Sequence, residues 1–231
     1  MSMPNLDARL LSVAKFVREG AYVCDVGTDH AYLPVQLVLT GRAVRALASD
    51  INEGPVNRAK ESVAKYGVSD KIDVVLGDGL KGADGYPITD VIIAGMGGEL
   101  IASILDAAKW IQNEKYRLIL QPMTHAEILR EYLINNGFTI VDEDIVTEQN
   151  DRKIYQIICA EFLGCNDEYT TDEFYLGRHN ISRRSGEFIK LCERLKKTNT
   201  EIKNAKESAG QNALLESEIV RIADKYLHLS T

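Results

Sequence analysis

The sequence predicts a doubly wound α/β sheet of seven strands followed by an α-helical coiled-coil hairpin. Short apolar runs end in Gly or Asp, and helical periodicity of 10–15 residues follows each of them. Two further apolar runs then follow each other with no helix between them. In the last part of the chain, apolar residues recur every three and four positions.

The 231 residues are 45% hydrophobic and 26% charged, enough for one sizeable domain with an appendage. No segment approaches the roughly 18 consecutive apolar residues that span a bilayer. Charges interrupt the apolar positions of MSMPNLDARLLSVAKF, so no leader and no membrane partner are expected, and cytoplasm is the expected compartment.

Leu6, Leu10, Val13, Ala14 and Val17 mark an opening amphipathic helix that Gly20 ends. AYVCDVG reads as a buried strand closed by a turn, and a helix follows over 32–40 with Pro34 in its first turn. A strand over 44–50 ends in an acid and leads to a helix over 55–66. The strand over 72–76 ends at Gly77-Asp78-Gly79. The strand over 90–94 runs into Gly95-Met96-Gly97-Gly98 and then a helix over 99–110. The strand over 117–120 runs into Gln121-Pro122, then a helix over 125–136 stopped by Gly137. Strands over 138–146 and 154–162, joined by a polar turn over 147–153, form an antiparallel hairpin on one edge. The alternation before them requires crossovers and a parallel sheet. This gives an α/β domain over 1–163 and a helical one over 164–231.

In the helical part, Phe188, Leu195, Ile202 and Ala209 recur every seven residues, with Leu191 and Ala205 between them. Gly210-Gln211-Asn212 breaks the helix, and Leu215, Ile219, Ile222 and Tyr226 resume the seam, as in an antiparallel hairpin. The net charge of −7 comes wholly from the first part. From Gly164 onward eleven Lys/Arg balance eleven Asp/Glu, leaving 16 basic against 23 acidic residues before it. Residues 178–206 are locally basic, either a solvated face or an anion-binding track. Cys24, Cys159, Cys165 and Cys192 lack metal-ligand spacing, so a reduced interior without a metal site is expected. Cys24 and Cys159 lie in apolar runs and should pack as small hydrophobes.

Function is read from the strand tips, where open α/β sheets bind ligands. CDVGTDHAYLP departs from a dinucleotide fingerprint by placing Asp29 and His30 where bare backbone would cradle a phosphate. Asp25, Asp29, Asp50 and Asp78 all fall at strand tips. Singly, such an Asp can cap a helix and such a Gly can merely turn the chain. Together, four carboxylates repel a pyrophosphate and favour a cofactor with a sulfonium, an ammonium and a ribose diol. S-Adenosyl-L-methionine is such a cofactor. His125 reads as a capping or solvent-facing residue, and Trp110 as a core or interface one.

Asp25-Val26-Gly27-Thr28-Asp29-His30-Ala31-Tyr32-Leu33-Pro34, Gly77-Asp78-Gly79-Leu80, Ile93-Ala94-Gly95-Met96-Gly97-Gly98 and Leu118-Ile119-Leu120-Gln121-Pro122 together resemble the bacterial TrmK-type tRNA methyltransferases. The resemblance covers the whole chain. It implies a class I, Rossmann-like methyltransferase domain, and transfer of a methyl group to N1 of adenine 22 in tRNA. It also implies that Asp25, Gly27, Thr28, Asp50 and Ile51 bind the cofactor with Asp78, Gly79, Gly95, Met96 and Gly97. Asp29, His30 and Tyr32 are the implied catalytic residues.

On the acceptor side the resemblance implies Gly98, Gln121, Pro122 and Met123. The family usually carries Asn after Gln-Pro, so Met123 replaces an amide with a thioether. The basic stripe becomes a track for tRNA: Arg183, Arg184, Lys190, Arg194, Lys196, Lys197 and Lys203. A monomer or weak homodimer is expected. The alternatives are a methyltransferase of a small molecule or protein, or a scaffold that binds the cofactor without turnover.

Overall fold

Ala21–Val26 (β1) is buried along its whole length, as a strand covered on both faces must be. It lies near the middle of a seven-stranded sheet in the computed structural model, which describes residues 3–148, 152–165 and 167–228. The other strands are β2 (Ala43–Asp50), β3 (Ile72–Leu76), β4 (Asp90–Met96), β5 (Arg117–Pro122), β6 (Phe138–Glu148) and β7 (Lys153–Phe162). Their order is β3-β2-β1-β4-β5-β7-β6. β1 to β5 pair in parallel, and β7 runs antiparallel to β5. The seven-stranded, mostly parallel, Rossmann-like sheet expected from the sequence is therefore present. The expected turn over 147–153 lies partly outside the described residues.

Helices α1 (Ala8–Phe16), α2 (Tyr32–Leu39), α3 (Glu53–Lys65), α4 (Gly98–Asp106) and α5 (Ala126–Asn135) flank the strands. Asp7 starts α1 by accepting the Leu10 N–H at 2.8 Å, which satisfies one donor that has no partner within the helix. Val13 and Val17 join a core that includes Val23, Val35, Ile92, Ile119, Ile157 and Cys159. Cys24 and Cys159 are buried, packed as small apolar side chains.

Two boundaries differ from expectation. α4 stops at Asp106, because Ala108 leaves helical geometry (φ −116°, ψ 63°) and a 3₁₀ turn, Lys109–Ile111, follows. The tighter turn delivers Ile111 to full burial. β4 and β5 run on to Met96 and Pro122, which pair past an irregularity at Gly95. Behind the sheet Arg130 donates to Glu143 at 2.7 Å, with both side chains fully buried, and to Gln156 at 2.8 Å.

The chain forms two compact units, Met1–Val146 with Tyr155–Glu168, and Thr147–Ile154 with Tyr169–Thr231. The second contains α6 (Thr171–Leu176), α7 (Arg178–Arg183), α8 (Gly186–Ser208) and α9 (Leu214–His228). Thr170 and Glu173 form a reciprocal capping box at the start of α6, and Gly177 (φ 85°) separates it from α7. α8 and α9 are the expected hairpin, but the seam is buried only in part. Phe188, Leu191, Cys192, Ile219, Ile222, Ala223 and Tyr226 are buried, with Phe188 edge-on to Tyr226, whereas Ile202, Ala205, Ala209 and Leu215 are exposed. At that end Lys206 pairs with Glu216 at 2.5 Å.

Candidate active site

Because β1 to β5 run parallel, their C-terminal tips share one edge of the sheet. At the β1 tip Gly27 adopts φ 79°, and the Gly27 and Thr28 N–H groups both reach the Ser49 carbonyl, at 2.8 and 2.9 Å. A Cβ on Gly27 would lie 2.2 Å from the Met96 methyl carbon, the mobile end of a flexible side chain, so it is the left-handed conformation of the turn that requires glycine. Asp25, just before it, is 7% exposed. Burial pushes its carboxyl up to about 6, while a hydrogen bond from Thr28 and the through-space field of Arg9 oppose that rise.

Past the turn, the Asp29 carboxylate pairs with Arg58 of α3, with Nε at 3.1 Å. His30 Nε2 lies 3.5 Å from its other oxygen. The His30 and Tyr32 rings stack with centroids 5.0 Å apart and 12° between planes. Ala31, between them, takes the left-handed conformation (φ 53°), a strained state for a residue with a Cβ. A cavity of about 250 Å³ brings together Asp25, Gly27, Thr28, Asp29, His30, Tyr32 and Gly95, with Arg9 on its wall.

The neighbouring tips extend the edge. Asp50 accepts the Asn52 N–H at 2.8 Å, and Ile51 is 62% exposed. The Gly77 N–H reaches the Asp50 carbonyl at 2.9 Å, which holds the β2 and β3 tips together. Asp78 pairs with Lys81. Asp78 and Gly79 line a second cavity of about 340 Å³, walled by Leu100, Ile104 and Trp110. Trp110 also packs edge-on against Tyr116 at 4.9 Å.

At the β4 and β5 tips, Gln121 is fully buried. Its Oε1 accepts from the Gly95 N–H at 3.1 Å and from Arg9 Nη1 at 2.8 Å. With Oε1 committed, Nε2 turns to the Pro122 carbonyl at 2.8 Å and to Met123 Sδ at 3.6 Å. The Met123 N–H bonds the Met96 carbonyl at 2.8 Å, and the Met123 side chain is exposed. Gly97 precedes α4, where a Cβ would lie 3.3 Å from the Thr124 hydroxyl. Gly98 is buried, and a Cβ there would stand 2.1 Å from the His125 carbonyl oxygen. It therefore serves close backbone packing, while Gly95 is the exposed glycine of that loop. His125 precedes α5 in the left-handed conformation (φ 53°), with Nδ1 3.1 Å from Glu127.

In the helical unit, Lys190, Arg194 and Lys197 surround a cavity of about 290 Å³ with Ile154 and Glu193. Lys196 pairs with Asp224 at 2.6 Å and Lys203 with Glu207 at 3.8 Å. Arg183 ends α7, and the Arg184 guanidinium lies 5.7 Å from the Tyr226 ring centroid. No helix among the described residues is long and apolar enough to cross a membrane.

Sequence reasoning missed Arg9 and Arg58. Arg9 had a signal, because it lies three residues after Leu6 and four before Val13, a charge on the apolar face of α1. Arg58 had none, since α3 carries many charges and only the fold brings it to Asp29.

The parallel topology and the acid-lined tips define a class I S-adenosylmethionine-dependent methyltransferase. Residues 6–158 match the model of a methyltransferase-domain family. Over 161 residues the chain is 43% identical to the tRNA (adenine(22)-N(1))-methyltransferase of Bacillus subtilis, covering 70% of this chain and 67% of that one. The crystal structure of the B. subtilis m1A22 tRNA methyltransferase TrmK matches with a TM-score of 0.81 and 32% identity, over 97% of each chain. A Streptococcus pneumoniae protein solved with S-adenosyl-L-methionine matches with a TM-score of 0.84 and 32% identity, over 97% of this chain and 100% of that one. The chain belongs to the TrmK family of tRNA (adenine(22)-N1)-methyltransferases.

The site residues fit that family's methyl donor. A buried carboxylate faces the bare turn, and the Ser49 hydroxyl behind it is buried without a partner among the described residues.

Proposed function

We propose that the chain transfers a methyl group from S-adenosyl-L-methionine to N1 of adenine 22 in tRNA. The observation that carries this reading is the shared cavity in which buried Asp25 and the bare Gly27 turn meet Asp29 and the His30–Tyr32 stack. The cofactor, when bound, supplies an electrophilic methyl group on a sulfonium centre. Asp25 would hold its ammonium group and Asp50 its ribose diol, with Ile51 and Asp78 on the same side of the cleft. Thr28, Gly79, Gly95, Met96 and Gly97 complete that side, where small residues let backbone approach closely.

Adenine N1 carries a lone pair and needs no deprotonation before it attacks. Catalysis then reduces to in-line positioning and stabilisation of the positive charge that develops on the base. Arg58 occupies Asp29 Oδ1, so Oδ2 is the oxygen that accepts from the adenine N6 amino group and offsets that charge. The His30–Tyr32 pair supplies an aromatic surface for the base, which must leave its helix to expose N1. Gln121, Pro122 and Met123, with Gly98 behind them, shape the acceptor side.

The domain over 1–163 carries the chemistry, and the helical domain over 164–231 carries the tRNA track. On that track Arg183, Arg184, Lys190, Arg194, Lys196, Lys197 and Lys203 hold the phosphate backbone. A monomer or weak homodimer in the cytoplasm is consistent with this substrate. Mass spectrometry of nucleosides from an unmodified tRNA transcript incubated with the protein and S-adenosylmethionine tests the reading. It should show 1-methyladenosine, mapped to position 22. Methylation of small molecules with untouched tRNA overturns it.

A further inference from the structure

We infer that Arg58 is a positioning residue for the acceptor base, holding the Asp29 carboxylate in the orientation that meets it. The assignment rests on the reading of Asp29 as the group that faces adenine. Three observations converge on it. First, Arg58 reaches Asp29 through two nitrogens, Nε at 3.1 Å and Nη2, and both meet the same oxygen, Oδ1. A planar guanidinium that grips one oxygen through two N–H groups fixes the direction from which the carboxylate is held, which a single ammonium does not. Oδ2 faces His30 Nε2 at 3.5 Å, longer than a normal hydrogen bond, and keeps its lone pairs for another donor.

Second, among the described residues the hydrogen bonds to the Asp29 carboxylate all come from Arg58, and the Asp29 side chain is 64% exposed. Without Arg58 an exposed side chain of this kind changes rotamer freely. Asp29 lines the cavity shared with the His30–Tyr32 pair, so its orientation matters there. Third, the grip comes from outside the loop it holds. α3 starts just past the β2 tip, and helical side chains lean toward the N-terminus of their helix, which carries Arg58 back over the first turn. The guanidinium passes the bare backbone of Gly54, where a Cβ would lie 3.5 Å from Nη1. An ion pair this open to solvent adds little to stability, so its removal changes position without unfolding the site.

Single-turnover methylation of an unmodified tRNA transcript at saturating tRNA, beside calorimetry with S-adenosylhomocysteine, tests the assignment. Arg58→Met should lower the rate about ten-fold or more, the scale that a small misplacement of a reacting group produces. The tRNA concentration for half-maximal rate and the affinity for S-adenosylhomocysteine should stay within about two-fold, and Tm within about 3 °C. Arg58→Lys keeps the charge without the two-nitrogen grip and should recover only part of the rate. Because Arg58 acts through Asp29, adding Arg58→Met to Asp29→Ala should cost less than about two-fold more. A rate for Arg58→Met within about two-fold of wild type overturns the assignment, as does a full further loss in the double variant. A weaker half-saturation by tRNA at unchanged maximal rate makes Arg58 a phosphate contact and overturns it too. These failures leave tRNA methylation intact. If the wild-type protein leaves adenine 22 unmethylated, the reading of Asp29 falls and this assignment falls with it.

Discussion

Replacing Asp25 with Asn should make the ligand-free protein more stable and the cofactor complex weaker. A carboxyl raised from 3.8 to about 6 holds its proton more tightly when folded than when unfolded. Stability is therefore lost as pH climbs through that window, and at pH 7.5 the ionised group costs the fold about 3 kcal/mol. At pH 4.5, where the native carboxyl is mostly protonated, the cost shrinks to about 1 kcal/mol. Asn keeps the shape and can still accept from Thr28 while removing the buried charge. At about 2–4 °C per kcal/mol, Asp25→Asn should raise Tm by up to about 10 °C at pH 7.5 and by about a third of that at pH 4.5. Calorimetry of the ligand-free protein at the two pH values reads this directly. In the same variant, affinity for S-adenosylhomocysteine should fall at least ten-fold at pH 7.5. A lowered Tm at pH 7.5, or an equal gain at both pH values, refutes the account of Asp25 as a buried charge awaiting a cation.

Gly98→Ala sets a Cβ against the His125 carbonyl, so thermal unfolding should show a loss of about 1–3 kcal/mol; an unchanged melt would mean the backbone yields there. Asp29→Ala should lower kcat on tRNA by roughly a hundred-fold or more while calorimetry finds S-adenosylhomocysteine binding nearly unchanged, and a kcat within about three-fold of wild type removes Asp29 from the chemistry. Lys197→Ala should raise the KM for tRNA more than Lys196→Ala, because Lys196 already spends its charge on Asp224. It should also reduce the salt slope of tRNA binding by about one, and the opposite ranking of the two would argue against the α8 track.

The parallel sheet was legible because each strand is a short apolar run ending in Gly or Asp, and burial on both faces demands that pattern. Asp25, Gly27, Asp29 and His30 were legible together, since six residues of local sequence hold them around one turn. Long-range contacts were not. The Arg58–Asp29 pair and the Arg9–Gln121–Gly95 chain link residues 26 to 112 positions apart, and no local pattern encodes which partners meet. The role of Gly98 was hidden for the same reason, because the atom that excludes a Cβ belongs to His125 on another loop. Heptad spacing over α8 and α9 overstated the seam, since it records which residues face a partner helix and not whether anything covers them.

The Met96 methyl fills the place that Gly27 leaves bare. In mutational terms, positions 27 and 96 behave as one volume shared by two residues. Enlarging the first displaces the end of the second, and the left-handed turn disfavours any side chain at 27. An unbranched thioether with three rotatable bonds can withdraw from the turn without moving the backbone. The Met96 side of the turn is thus adjustable, whereas Gly27 is fixed by its backbone conformation. Selection for a bulkier methyl-donor analogue would be expected to find variants at Met96 first and at Gly27 last.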